Sequence, residues 1–253
     1  MDSIIAEIRS YPVKGLSGRI LSRTHLQPDE TIQGDRRFAL GRPGFAFDTD
    51  NPVWMPKTNF LALVRDEKLA ELDAGYDEET DTLTLRADDR VVLAAKLSTP
   101  DGRSRVEAFF GAFLADTLDG PPTLLAAGAH SFSDLDAKVV SLLNLDSVAA
   151  LGREIGVEID PRRFRANISF RGTPAWRELD WVGRRFRIGG AAIEVIARTQ
   201  RCAATNVNPE TATRDLNLPG SLQRSRGHAD MGVYARIIAP GDIRPGGSIV
   251  PMS

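Results

Sequence analysis

The sequence predicts an α+β protein, mainly β, built from two barrel-like units with a few helices. Three observations lead there. Short runs alternate apolar and polar residues, turn-forming Gly (22) and Pro (15) punctuate them, and few stretches carry helical spacing. The 253 residues are 42% apolar and 26% charged, enough to bury one large core or two small ones.

Taken in order, "SIIAEIRSYPVK" (3–14) alternates and is stopped by Pro12, which predicts an opening strand. "LSRTHLQPDETI" and "RRFALGRPG" predict further short strands with Gly and Pro between them. "DTLTLRA" (81–87) alternates most regularly in the next region. "SRVEAFFGAFLADTL" (104–118) has apolar residues at helical spacing. "DGPPT" (119–123) is a breaker and sets the expected domain boundary, giving units 1–118 and 119–253. Beyond it, Asp146 or Ser147 is expected to cap a helix over "SVAALGREIG", with Gly156 near its end. "RFRANISFRG", "RRFRIGGAAIEVIAR" and "GVYARIIAPG" predict strands, and "GDIRPGGSIVPM" a turn and a closing strand.

Composition excludes several classes. Lys+Arg 32 against Asp+Glu 34 gives a net charge of -2, which argues against nucleic acid or an anionic membrane as a bulk electrostatic partner. A single cysteine excludes a disulfide framework and a multi-cysteine metal site, and fits a reducing cytoplasm. The N-terminus has no basic stretch followed by a long apolar one, so no signal peptide is expected. No run approaches the ~18 apolar residues of a membrane span.

Candidate chemistry gathers in four places. Cys202 follows Arg198 and Arg201 and precedes Thr205 and Asn206. Cations beside a thiol favour thiolate, the form that binds metals; the alternative is a small buried hydrophobe. In "PRRFRANISF" three arginines fall within four positions. On a strand, Arg163, Arg165 and Asn167 would share one face suited to an anionic, hydrogen-bonding ligand, or else form a solvated edge. Lys14 and the Arg36/Arg37 pair add positive charge to the same pocket or are surface cations. "HSFSDLDAK" (130–138) fits a polar ligand loop or a capping loop. His130 and His228 are too isolated for metal-ligand spacing, and there is no Ser–His–Asp signature, P-loop or G-x-G-x-x-G after a strand.

"YPVKGLSG", "GDRRFAL", "RFRANI", "RCAATNVNP" and "GVYARIIAPGDIRPGGSIV" occur in this order, and together the chain resembles the MOSC family, named for the C-terminal domain of molybdenum cofactor sulfurase. Residues 1–118 resemble the family's N-terminal β-barrel domain and 119–253 its MOSC domain. The layout is similar to the mitochondrial amidoxime-reducing component and its bacterial relatives. The resemblance implies a molybdenum cofactor whose metal is bound by Cys202, a soft ligand suited to it. It also implies that Lys14, Arg37, Arg165, Asn167, Arg201 and Thr205 bind the cofactor and that Asp134 lies near the metal's open side. Two departures stand out. The family's usual V-D-P-x-T-G run reads "VNPETAT" here, with Asn208 and Ala212, and no cysteines follow to build the iron–sulfur cluster some bacterial relatives carry.

What this implies is a molybdenum-dependent oxidoreductase that reduces N-hydroxylated or related substrates by oxygen-atom transfer. Cys202 and Asp134 are its expected catalytic residues. Electrons would come from a separate ferredoxin- or flavin-type donor protein. The alternative is a sulfur carrier or cofactor-handling protein that uses Cys202 as persulfide or delivery site.

Overall fold

The computed structural model describes residues 3–126, 128 and 130–252. Its strands are β1 (Ser3–Ser10), β2 (Arg19–Ile20), β3 (Thr24–Leu26), β4 (Phe38–Gly41), β5 (Asp73–Asp77), β6 (Thr82–Ala87), β7 (Arg90–Lys96), β8 (Thr123–Ala126), β9 (Val140–Asn144), β10 (Ile168–Arg171), β11 (Arg185–Ile188), β12 (Ala191–Gln200), β13 (Asp230–Ala239), β14 (Gly241–Ile243) and β15 (Ser248–Pro251). The α-helices among the described residues are α1 (Pro100–Phe113), α2 (Leu145–Ile155) and α3 (Leu218–Arg226).

The mainly β, α+β class holds. One sheet runs β10-β9-β13-β12-β11-β15-β1-β2, and β10 also pairs with β1, so seven of its strands close into a barrel with β2 attached. β1 lies before the Asp119–Pro122 turn and is nonetheless a barrel stave, held antiparallel to β10 and β15. β5-β6-β7 form a separate three-stranded sheet, and β4–β8 and β3–β14 are two-stranded ladders. Closure leaves the barrel strands without open edges.

The barrel interior is filled by β-branched and aromatic residues, among them Ile5, Ile8, Ile168, Ile193, Val195, Val233 and Phe170, all at most 1% exposed. Phe170 stacks on Trp181 at 5.1 Å, and Trp181 packs on Phe186 at 4.4 Å. Each such side chain contributes about 1.5–3 kcal/mol by leaving water. A second core lies beneath the three-stranded sheet, where α1 packs Val106 and Phe110 against Leu83, Leu85 and Leu93.

Two local expectations are corrected. α2 is capped by Asn144, whose carboxamide oxygen accepts from the Asp146 amide, and not by Asp146 or Ser147. Ser147 is fully buried and donates to Glu178 at 2.7 Å, so its hydroxyl is spent inside the fold. Gly156 does end the helix, in the left-handed conformation at φ 74°. "PRRFRANISF" is not a continuous strand: Pro161–Phe164 is a 3-10 turn capped by Asp160, Arg165 is left-handed at φ 51°, and β10 begins at Ile168. The turn breaks the period of two, so Arg163, Arg165 and Asn167 do not share a strand face.

Candidate functional site

The segments that lead into and out of the barrel strands converge on one chamber of about 110 Å³. β12 runs out into Arg201 and Cys202, and Cys202 caps a 3-10 turn, Ala203–Asn206. Thr205 closes that turn: its amide reaches the Cys202 carbonyl at 3.0 Å and its hydroxyl donates to the same oxygen at 2.9 Å. The thiol is therefore fixed on a rigid corner, half-buried and facing the cavity.

Arg201 is 8% exposed and tied down on two sides. Its Nε donates to the Met231 carbonyl at 2.7 Å, its Nη1 to the Phe164 carbonyl at 2.9 Å, and the guanidinium lies 5.2 Å from the Phe164 ring centre. Its Nη2 is buried without a partner, as is the hydroxyl of Thr199, which lines the same chamber. Gly232 makes room for this arginine: at φ 77° it is left-handed, and a Cβ there would stand 2.4 Å from the Leu142 carbonyl and 3.0 Å from Arg201 Nη2.

Opposite stands a second cationic wall. Arg36 and Arg165 lie on the Tyr11 ring, 4.7 and 4.4 Å from its centre. Arg36 is paired with Asp35 at 2.5 Å and donates to the Arg165 carbonyl at 3.2 Å. Arg165 donates to the Leu16 carbonyl at 2.5 Å and has no carboxylate partner among the described residues. Burial and the neighbouring Arg36 charge push its pKa down to about 10, with Tyr11, Asp134 and Asp35 only partly opposing.

Lys14 is 5% exposed and donates to the Phe132 carbonyl at 2.9 Å and to Asp134 at 2.6 Å. Burial lowers the Lys14 pKa, with Asp134 only partly compensating. For Asp134, burial works against ionisation, but Lys14, Lys57 and Arg36 outweigh it and hold the carboxyl well below its usual range. Lys57, on a 3-10 turn at Lys57–Asn59, lines the chamber too. Burial opposes its charge, yet Asp134 and Cys202 outweigh burial and raise its pKa.

The structure thus brings together Cys202, Arg201, Thr205, Lys14, Asp134, Arg165 and Asn167 around one cavity. Two of them are absorbed by the fold. Thr205 holds the cysteine turn, and Asn167 is spent on Ser141, whose amide and hydroxyl it accepts at 3.1 and 2.9 Å, and on the Arg9 carbonyl at 3.3 Å. Arg37 lies outside: it is exposed, donates to the Tyr76 hydroxyl at 3.3 Å and rests on Phe38, while its neighbour Arg36 faces the chamber. Arg163 is tied to Asp215 and the Asn206 carbonyl and lies in the wall. His130 sits among Phe47 and Phe132, and His228 accepts from the Asp230 amide, so neither joins the site. Lys57 and Tyr234 also line the chamber, and nothing in their spacing from Cys202 marks them in the sequence. No group of three or more His, Cys, Asp or Glu side chains able to hold a metal occurs among the described residues. A helix long and apolar enough to cross a membrane is also absent among them.

A second cavity of about 400 Å³ adjoins the chamber and shares Gly15, Leu63, Arg163, Arg165 and Ala204 with it. Gly15 is left-handed at φ 88°, and a Cβ there would lie 2.8 Å from the Leu61 carbonyl.

Residues 127–250 match the family model of the MOSC domain. No curated protein matches the sequence. Among solved structures, the YuaD protein from Bacillus subtilis is similar over 98% of this chain and 94% of its own, at 11% identity and a TM-score of 0.46. YiiM from Geobacillus stearothermophilus is similar over 45% of this chain and 54% of its own, at 20% identity and a TM-score of 0.36. YiiM from Escherichia coli gives 21% identity, the same coverage and a TM-score of 0.35. This chain spans about half the length of the YiiM proteins it matches. Residues 127–250 of the chain are thus a MOSC domain.

Proposed function

We propose that the chain binds a molybdenum cofactor at Cys202 and reduces N-hydroxylated or related N–O substrates with electrons from a separate donor protein. MOSC domains bind the molybdenum cofactor in general. The observation that carries the reading to this chain is the set of unspent donors around its one cysteine: Arg201 Nη2 and the Thr199 hydroxyl are buried without partners, and Arg165 forms no salt bridge among the described residues. Leaving a buried donor unpaired costs about 1–3 kcal/mol, a cost an acceptor-rich ligand removes.

The residues fit such a group. A thiolate at Cys202 is a soft ligand for the metal, and with no His/Cys/carboxylate cluster around it among the described residues, the metal would have to be carried by the cofactor. Arg165, Arg36 and Lys14 offer charge to a phosphate; Arg201 and Thr199 offer donors to the pterin edge. A molybdenum cofactor held by these residues would supply two-electron exchange for the reduction, with the electrons coming from the donor protein.

The chain's own residues set the surroundings of that chemistry. Thr205 fixes the orientation of Cys202. Lys57 places a cation beside the sulfur and the Asp134 carboxylate. Asp134, held ionised against burial by Lys14, Lys57 and Arg36, serves as the counter-ion of Lys14.

The test uses protein from a host that makes the cofactor. Benzamidoxime reduction is assayed with a chemical electron donor for wild type and Cys202→Ala. Turnover by wild type and none by the variant is expected. Equal turnover by both sinks the assignment. A persulfide on Cys202 with no bound molybdenum would instead favour sulfur carriage.

A further inference from the structure

The second cavity has a composition of its own. It lies between the barrel side and the three-stranded sheet, and at about 400 Å³ it falls inside the ~300–1,000 Å³ range of small-molecule sites. The edge it shares with the cysteine chamber is cationic. Arg165 stands there without a carboxylate partner among the described residues, and Arg163, 6% exposed, is bound to Asp215 and the Asn206 carbonyl through its terminal nitrogens but has a buried Nε with no hydrogen-bond partner. The far wall is acidic on balance: Glu71, Asp73 in β5, and Asp88 and Asp89 at the β6–β7 turn outnumber its one cation, Arg86, which lies across the ladder from Asp73. Asp73 accepts from the Ser17 hydroxyl at 3.2 Å, which leaves the other carboxylate oxygen free for a ligand.

This polarity selects a ligand class. The arginine edge suits a phosphate, which takes guanidinium donors in pairs. Carboxylates accept but do not donate, so the opposite end must bring hydroxyl or amino hydrogens. We propose that the second cavity is a site for a nucleotide-sized phosphate ester, with its phosphate at Arg163 and Arg165 and its sugar hydroxyls or base amines on Asp73, Asp88 and Asp89. Two sources supply this chemistry, a free nucleotide and a nucleotide esterified to the phosphate of a cofactor rooted at Cys202. The first needs no metal but takes Arg165, the residue that also offers charge to the cofactor's phosphate; the second rests on the cofactor reading.

The experiment has two arms. In the first, the cofactor-free chain is titrated calorimetrically with inorganic phosphate, ribose 5-phosphate, GMP and CMP. One added charge-assisted bond is worth about 1.5–3 kcal/mol, so a nucleotide is expected to bind at least about tenfold more tightly than phosphate. That margin is expected to fall below about threefold in Asp73→Asn/Asp88→Asn/Asp89→Asn, with phosphate binding unchanged. Asp88 and Asp89 are left-handed at φ 49° and 60°, a conformation asparagine tolerates, so the turn survives, and a melting curve verifies it. In the second arm, protein from a cofactor-producing host is denatured and its small molecules are identified by mass spectrometry. A nucleotide joined to the pterin identifies the cofactor source; a free nucleotide identifies the other. No nucleotide in the extract together with no margin over phosphate in the titration overturns the proposal, and leaves the molybdenum reading untouched. A margin that survives the triple replacement also overturns it.

Discussion

Arg201 separates the two jobs that one side chain performs, and Arg201→Lys tests them together. The guanidinium spends Nε and Nη1 on the carbonyls of Met231 and Phe164, at 2.7 and 2.9 Å, and leaves Nη2 unpartnered at the chamber wall. Lysine keeps the charge but places it at a point, so it satisfies one carbonyl and cannot also face the cavity. One charge-assisted hydrogen bond is lost, about 1.5–3 kcal/mol. The contact with the Phe164 ring weakens by a further ~0.5–1 kcal/mol. A fall of about 2–4 kcal/mol is large but bearable against the ~5–15 kcal/mol of an ordinary domain. Urea unfolding reads this term. The ligand term is separate: losing the cavity-facing donor, at ~1.5–3 kcal/mol, speeds cofactor loss on dialysis about tenfold to a hundredfold, followed as molybdenum and pterin per folded chain. A variant that loses the stability and keeps the cofactor as long as wild type would refute the claim that Nη2 awaits a ligand.

Further predictions concern neighbours of the site. Arg36→Ala weakens cofactor retention, whereas Arg37→Ala leaves it unchanged and shifts stability by less than ~0.5 kcal/mol; the metal content of both variants checks the pair. Asn167→Ala costs about 2–4 kcal/mol in urea unfolding because it strands the Ser141 amide and the Arg9 carbonyl, and retention per folded molecule changes little. Glu178 gives a pH signature. Burial raises its pKa, with hydrogen bonds from Ser147 and Asn144 partly opposing, so the folded state binds the proton more tightly than the unfolded chain does. Its contribution is therefore fully present below the ordinary value of 4.5 and is lost as pH rises through the folded value. Relative to Glu178→Gln, wild type loses stability from pH ~4.5 upward in urea midpoints, and a pH-independent difference would contradict the direction.

Much of this site can be read from the sequence because its residues sit where chain patterns change. Cys202 and Arg201 follow the alternating run that becomes β12, and Lys14 follows the Pro that ends the β1 pattern. The limits are equally physical. The arginine segment alternates like a strand, but Arg165 adopts a left-handed backbone that no periodicity announces. The same device separates Arg36 from Arg37: Arg36 is left-handed at φ 49°, which turns it inward and its neighbour outward. Lys57 reaches the chamber from a 3-10 turn far along the chain from Cys202, and the β12–β13 pairing that carries Tyr234 has register shifts, so face counting along β13 is unreliable. Capping by Asn144 was hidden because Asp146 and Ser147 have equal intrinsic preference, and only the buried Glu178 decides between them. The barrel's use of β1 is a long-range pairing that no local signal carries.

The central claim is that Cys202 holds the metal of a bound molybdenum cofactor. Molybdenum per chain, measured by plasma mass spectrometry on wild type and Cys202→Ala from a cofactor-producing strain grown with molybdate, tests it most directly. Near-stoichiometric metal is expected in wild type and little in a folded Cys202→Ala. Folded wild type without molybdenum, or equal molybdenum in both proteins, would contradict it.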